Sequence, residues 1–264
     1  MQHVPGSRTR FDYDRQAETY DATRAASPSV SAPLLAALGD LPGRRVLDIG
    51  GGTGNYSAAL AAAGFDPVVA DYNADMLMRA ATKGLATVRA DAAELPFPPA
   101  SVEAAMFVSM LHHVPAWTEA LREGQRVVRP GGKVVLFAFS REHLAVHWVT
   151  RYFPRTTAHF ATSHQTMAEL AAVLAAATVT PVRYTDLVDG SMAAMCRQPE
   201  TLLDPDIRRQ TSFFEHASTH EPDELRAGVT RLEADLAAGR RPQDEDSDRR
   251  ARLGDAALFV WTAP

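Results

Sequence analysis

From position 45 to position 139 the apolar residues concentrate in short runs: 45–49, 67–70, 85–90, 102–110 and 133–139. None shows a clean two-residue alternation, which is the pattern of strands covered on both faces in a parallel sheet. Between the runs, residues 56–63, 74–83 and 117–128 read as helices, and Pro130-Gly131-Gly132 reads as a turn. Strand and helix therefore alternate, the rhythm of βαβ units. The predicted class is α/β, with a doubly wound, Rossmann-like, mostly parallel sheet.

The flanks differ. Residues 1–10 read as disordered. In residues 11–26, Tyr13, Ala17 and Tyr20 share one helical face. Pro28 and the serines around it are expected to break that helix, and a second is expected over 32–38. After Ser140 the rhythm changes, and residues 141–165 are rich in histidine and aromatic side chains. Thr166 with Glu169 makes a capping box for a helix to about 177. Residues 179–188 are expected to be the sixth strand and 256–262 the last. The stretch 189–250 reads as helical and irregular. Pro222 suits a first helical turn, and Leu225, Val229, Leu232 and Leu236 form an apolar stripe. Residues 239–252 read as a charged, solvated loop.

With 264 residues, 46% hydrophobic and 22% charged, the chain can bury a full core. A net charge of −5 argues against nucleic acid as the main partner, because phosphate contacts need a basic surface. Cys196 is the only cysteine, so no intrachain disulfide forms and a cytoplasmic location is expected. No signal core or membrane-length run is present. His112 and His113 have no cysteine pair to join them in a metal site.

The chemistry starts at the end of the first run. Residues 46–57 read Val-Leu-Asp-Ile-Gly-Gly-Gly-Thr-Gly-Asn-Tyr-Ser, with glycines at positions 50, 52 and 54. Glycine lets the backbone turn tightly and approach a ligand closely. A dinucleotide fingerprint wants glycine or alanine at position 55, where Asn55 stands, which argues against an NAD-linked dehydrogenase. The pattern Asp48-x-Gly50-x-Gly52-x-Gly54 instead resembles the nucleotide-binding loop of class I S-adenosylmethionine-dependent methyltransferases. The resemblance covers residues 11–140 well, and the start with Tyr20-Asp21 looks like small-molecule members of the ubiquinone-type and "type 11" branches.

The resemblance implies a seven-stranded sheet whose last strand inserts antiparallel beside the fifth. It implies an N-terminal lid over 1–31, a cofactor-binding core over 32–140, cap insertions at 141–165 and 189–250, and completion of the sheet by 166–188 and 251–264. S-adenosylmethionine is the implied cofactor. Its carboxylate would meet the backbone N–H groups of Gly50, Gly52 and Gly54, and Asp48 would accept from its ammonium. Asp71, 23 residues past Asp48, would grip the ribose hydroxyls, as the acid does in dinucleotide folds. Asp71 could equally cap the following helix, with Asp75 as its rival. Asp91 and Ala92 would bind the adenine edge, and Tyr72, Met76 and Leu95 would line its faces or simply pack the core. Tyr13, Tyr20 and Ser109 would surround the sulfonium, and Arg15 is a candidate for the cofactor carboxylate. His112 or His113 would act as a base or serve only in packing.

The expected reaction is methyl transfer to a small, moderately apolar organic acceptor such as a quinone-like ring. Trp148, Tyr152, Phe153, His159, Phe160, Met192, Met195, Phe213 and Phe214 would give the cap its apolar character, either lining a cavity or packing the cap. A non-methylation reaction such as cyclisation, or a non-catalytic binding module, stays open at this level. The atom methylated and the oligomeric state are not legible.

Overall fold

A computed structural model describes residues 26–186, 197–209, 211–244 and 247–264. The expected N-terminal helix, with Tyr13, Arg15 and Tyr20, lies outside the described residues, as do Met192, Met195 and Cys196.

Seven strands form one sheet: β1 Arg45–Ile49, β2 Asp66–Asp71, β3 Ala86–Arg89, β4 Val102–Val108, β5 Val128–Ala138, β6 Thr178–Val182 and β7 Ala256–Thr262, in the order β3-β2-β1-β4-β5-β7-β6. The first five are parallel. β7 runs antiparallel between β5 and β6, pairing Ala138 with Ala257 and Val182 with Ala256. The start of β7 and the end of β6 therefore lie at the same sheet edge as the carboxyl ends of β1–β5.

Helices cover both faces: α1 Pro28–Leu38, α2 Asn55–Ala62, α3 Ala74–Thr82, α4 Trp117–Val127, α5 Arg141–Val146, α6 Pro154–Ala161 and α7 Met167–Val173. Among the described residues four more follow β6: α8 Pro205–Arg208, α9 Ser212–His220, α10 Pro222–Ala237 and α11 Ser247–Leu253. Ile49, Phe107, Leu121, Leu136, Leu170 and Phe259 share one apolar cluster. Val30, Leu34, Leu38, Met106, Val135 and Leu258 share the second. β4 has both kinds of neighbour, which is why its run shows no alternation. Each such side chain contributes roughly 1.5–3 kcal/mol by leaving water.

A third cluster holds Trp148, Tyr152, Phe153, Phe213, Phe214 and Leu232, joining the stretch after β5 to the one after β6. All six are at most 6% exposed, so these rings pack the insertion rather than line a cavity. Glu224 on α10 fastens the two stretches: its carboxylate accepts from Arg155 N (2.6 Å), Thr156 N (2.9 Å) and Thr156 Oγ1 (2.7 Å). Those two N–H groups are free donors of the first turn of α6. Gly228 lets the elements meet, since a Cβ there would lie 2.4 Å from Phe153 Cε1 and 2.6 Å from Tyr152 O.

The structure corrects several boundaries. α1 starts at Pro28, four residues before the expected start at 32, because the missing N–H of proline is harmless in a first turn. Pro130–Gly132 is not a separate turn but lies within β5, where the pairing with β4 shifts register and Gly131 has φ +75°. β6 ends at Val182, six residues early, as Tyr184 N turns to Asp255 Oδ2 (2.9 Å). The capping box at Thr166 is present, but its helix stops at Val173. Residues 239–252 are not all loop, for α11 occupies Ser247–Leu253. Among the described residues no helix is long and apolar enough to cross a membrane.

Candidate functional site

β1 delivers Asp48 and the glycine loop to the carboxyl edge of the sheet. Gly50, Gly52 and Gly54 have φ of +68°, +55° and +73°, the left-handed region that glycine enters freely. Gly50 N donates to Ala70 O (2.7 Å), tying the loop to β2. Asp71 fastens it further: Oδ2 accepts from Gly52 N (2.9 Å) and Oδ1 from Asn73 N (2.8 Å). The capping role belongs to Asn73, whose Oδ1 accepts from Asp75 N and Met76 N at the start of α3. That leaves Asp71 facing the loop. A Cβ on Gly52 would meet nothing within 4 Å among the described residues, so none of these closes the loop on that side. Asn55, where a third glycine was sought, accepts from Lys83 Nζ (2.5 Å), which also donates to Thr53 O (2.8 Å).

Asp48 is 2% exposed. Its Oδ2 accepts from Ser57 Oγ (2.6 Å), while buried Oδ1 has no partner among the described residues. Burial pushes its carboxyl up to about 7. The Ser57 bond opposes this, and the negative charge of Asp71 adds to it.

At the tip of β2, Tyr72 is 49% exposed, with the Arg89 guanidinium 5.5 Å from its ring centre. Met76 and Leu95, also expected beside the adenine, are 3% and 5% exposed and belong to the packed interior. After β3, Asp91 is exposed and its Oδ1 accepts from Ala93 N (2.9 Å), while Ala92 is half-buried. Asp48, Asp71 and Asp91 thus stand at or just past the tips of three adjacent strands, β1, β2 and β3.

Past β4 the backbone turns sharply. Ser109 is exposed with φ +53°, its N–H donating to Phe137 O (3.1 Å). Met110 packs on Gly50, and residues 111–113 form a single tight turn. His113 is exposed and His112 half-buried. Sequence reading missed the partner of His112: the ring of His164 stacks on it at 4.5 Å between centroids, tilted by 10°. His164 is buried, its Nδ1 lies 2.8 Å from Phe160 O, and burial holds its pKa below the ordinary histidine value. Nδ1 therefore carries the proton and donates to that carbonyl. No sequence signal links positions 112 and 164, and only the histidine-rich character of 141–165 pointed there. Among the described residues no group of three or more His, Cys, Asp or Glu side chains is placed to hold a metal.

Residues 47–136 match the methyltransferase-domain family Methyltransf_11. Over 108 residues the chain is 42% identical to the demethylmenaquinone methyltransferase of Beutenbergia cavernae, covering 40% of this chain and 45% of that protein. It is 38% identical over 111 residues to a ubiquinone/menaquinone biosynthesis C-methyltransferase of Ectopseudomonas mendocina, covering 38% and 43%. The chain therefore spans a little under half the length of these curated relatives. A solved structure from Anabaena variabilis ATCC 29413, provisionally assigned as a methyltransferase of an antibiotic biosynthesis pathway, superposes with TM-score 0.74 at 24% identity, covering 91% of this chain and 99% of that one. The last likeness shows the shared fold, and the family match at 47–136 spans the glycine loop and the strands around it. Residues 47–136, from β1 into β5, are thus the part of the chain that resembles a methyltransferase domain.

Proposed function

We propose that this protein transfers a methyl group from S-adenosylmethionine to a small, moderately apolar acceptor with a quinone-like ring. One observation carries the reading. A left-handed glycine loop stands beside three carboxylates at the tips of neighbouring strands, and one of them has a buried oxygen without a partner among the described residues.

The residues fit the cofactor. Asp48 Oδ1 needs a donor, and the ammonium of the methionyl end is one that would also favour its ionised form. The side of Gly52 that the described residues leave clear admits a chain lying along the loop. Asp71, held toward the loop by the N–H groups of Gly52 and Asn73, is a carboxylate of the kind that accepts from ribose hydroxyls. Asp91 and the Ala92 N–H suit the adenine edge, and exposed Tyr72 offers a flat face. When bound, the cofactor supplies a methyl group activated by a neighbouring sulfonium charge.

The protein's task is alignment. Holding acceptor and methyl donor at attack distance accounts for about 7–11 kcal/mol of barrier in favourable cases. Ser109 and His112 lie on the turn after β4, and on this reading the acceptor's nucleophile would be held beside that turn. A neutral His112 takes a proton from an acceptor hydroxyl as the new bond forms. On this reading the described parts of the two insertions, 141–165 and 197–244, would cap this edge. The quinone-like class rests on the names of the relatives that match the core.

The test is calorimetry with S-adenosylmethionine and S-adenosylhomocysteine, followed by labelled-methyl transfer to reduced naphthoquinones. Micromolar-range binding and a labelled, methylated ring are expected. Absence of binding would end the reading, and binding without transfer to any ring would overturn the acceptor class.

A further inference from the structure

At the far end of the same sheet edge, four strand positions from β1 and about 19 Å away at ordinary strand spacing, lies a cavity of about 190 Å³. Its wall carries Arg183, just past β6, with Arg197, Arg250 of α11, Gln243, Asp244 and Asp255. Three guanidinium groups around so small a space demand anionic partners. Asp255 meets part of that demand: it accepts from Arg250 Nε and Tyr184 N and lies 3.6 Å from Arg197 Nη1. Asp244 is exposed. One positive charge remains in excess. Two buried atoms also lack partners among the described residues, Arg250 Nη2 and Gln243 Oε1. The Gln243 amide can turn to present its N–H₂ instead, since its two ends are nearly alike in shape. His147 packs nearby and adds no charge, because burial, with Arg250 beside it, lowers its pKa to about 3.

We propose that this cavity binds a small oxyanion of the phosphate type, held by the guanidinium forks of Arg183, Arg197 and Arg250. Guanidinium geometry matches phosphate through paired N–H···O bonds, which a simple halide cannot reproduce. The volume is below the roughly 300–1,000 Å³ of pockets for drug-sized ligands, so the ligand is an ion or the phosphate end of a small ester. The site is separate from the glycine loop and independent of the methyl-transfer reading.

The experiment uses the full chain and inorganic phosphate, with chloride at matched ionic strength as control. Calorimetry is expected to show one saturable site with a dissociation constant of about 1 mM or tighter. Arg183 is exposed and makes no hydrogen bond or ion pair among the described residues, so Arg183→Gln is expected to fold normally and weaken phosphate about ten-fold. Arg250→Lys keeps the charge but loses the fork, and a similar weakening is expected. Glycerol phosphate and acetate distinguish an ester or a carboxylate ligand from free phosphate, and binding of acetate in preference to phosphate would overturn the assignment. So would no saturable binding beyond the chloride control, unchanged affinity in both variants, or competition between phosphate and S-adenosylhomocysteine.

Discussion

Asp48→Asn should separate the stability of the fold from the affinity of the site. In the folded chain the Asp48 carboxyl is pushed from its ordinary 3.8 up to about 7, mainly by burial. Below pH 4 both folded and unfolded chains hold this proton, so the site has no effect on stability. Between pH 4 and 7 the unfolded chain releases the proton first, so stability falls as pH rises. Above pH 7 the loss is complete, and at 1.36 kcal/mol per unit it amounts to about 4 kcal/mol. Between pH 5 and pH 8 the share of Asp48 is about 3 kcal/mol. Asparagine cannot ionise, so the variant lacks this slope. Its amide still needs a partner where Oδ1 has none among the described residues, a roughly constant cost of about 1–3 kcal/mol at every pH. The measurable quantity is the difference between the two proteins as pH changes, in which all other titrating groups cancel. Urea titrations at pH 5, 6, 7 and 8 should show Asp48→Asn gaining about 3 kcal/mol on the natural chain across that range. The same variant should bind S-adenosylhomocysteine more weakly, because the ammonium loses its charged acceptor. Binding to the natural chain at pH 6 should release close to one proton, seen as a dependence of heat on the buffer. Parallel stability curves and no proton release would refute the reasoning.

Asp71→Ala removes the acceptor of Gly52 N and Asn73 N and the carboxylate offered to the ribose. Calorimetry should show S-adenosylhomocysteine weakened by at least about ten-fold, or 1.4 kcal/mol, and an unchanged affinity in a folded variant would remove Asp71 from the site. His164→Ala takes away the platform under His112, while His164→Phe keeps an aromatic face. The His112 ring resonances and their titration should shift in the alanine variant and return in the phenylalanine one; identical spectra in all three proteins would show that the stack does not position His112. Gly228→Ala forces a Cβ against Phe153 and the Tyr152 carbonyl, so the insertion should lose about 1–3 kcal/mol in thermal or urea unfolding while cofactor affinity is kept. A variant as stable as the natural chain would contradict that packing.

What the sequence alone determined is local. The apolar runs placed β1 to β5 and β7 to within a few residues apart from the merged start of β5, because burial on both faces leaves few polar positions in such a strand. The spacing of Gly50, Gly52 and Gly54 marked the loop, because a left-handed backbone needs no distant contact to be favourable for glycine. Asp71 and Asp91 were legible because an acid at a strand end is visible from its immediate neighbours. Tertiary structure decided the rest. The merger of 128–132 into β5, the end of β6 at Asp255 and the capping of α6 by Glu224 each depend on a residue from another segment. The aromatic residues after Ser140 could have lined a cavity or packed together, and only their mutual burial showed that most of them pack. The stack of His164 on His112, the raised pKa of Asp48 and the arginine-walled cavity arise from the same cause. Charge, burial and ring contact depend on distance in space, and residues far apart along the chain leave no period or spacing from which that distance can be read.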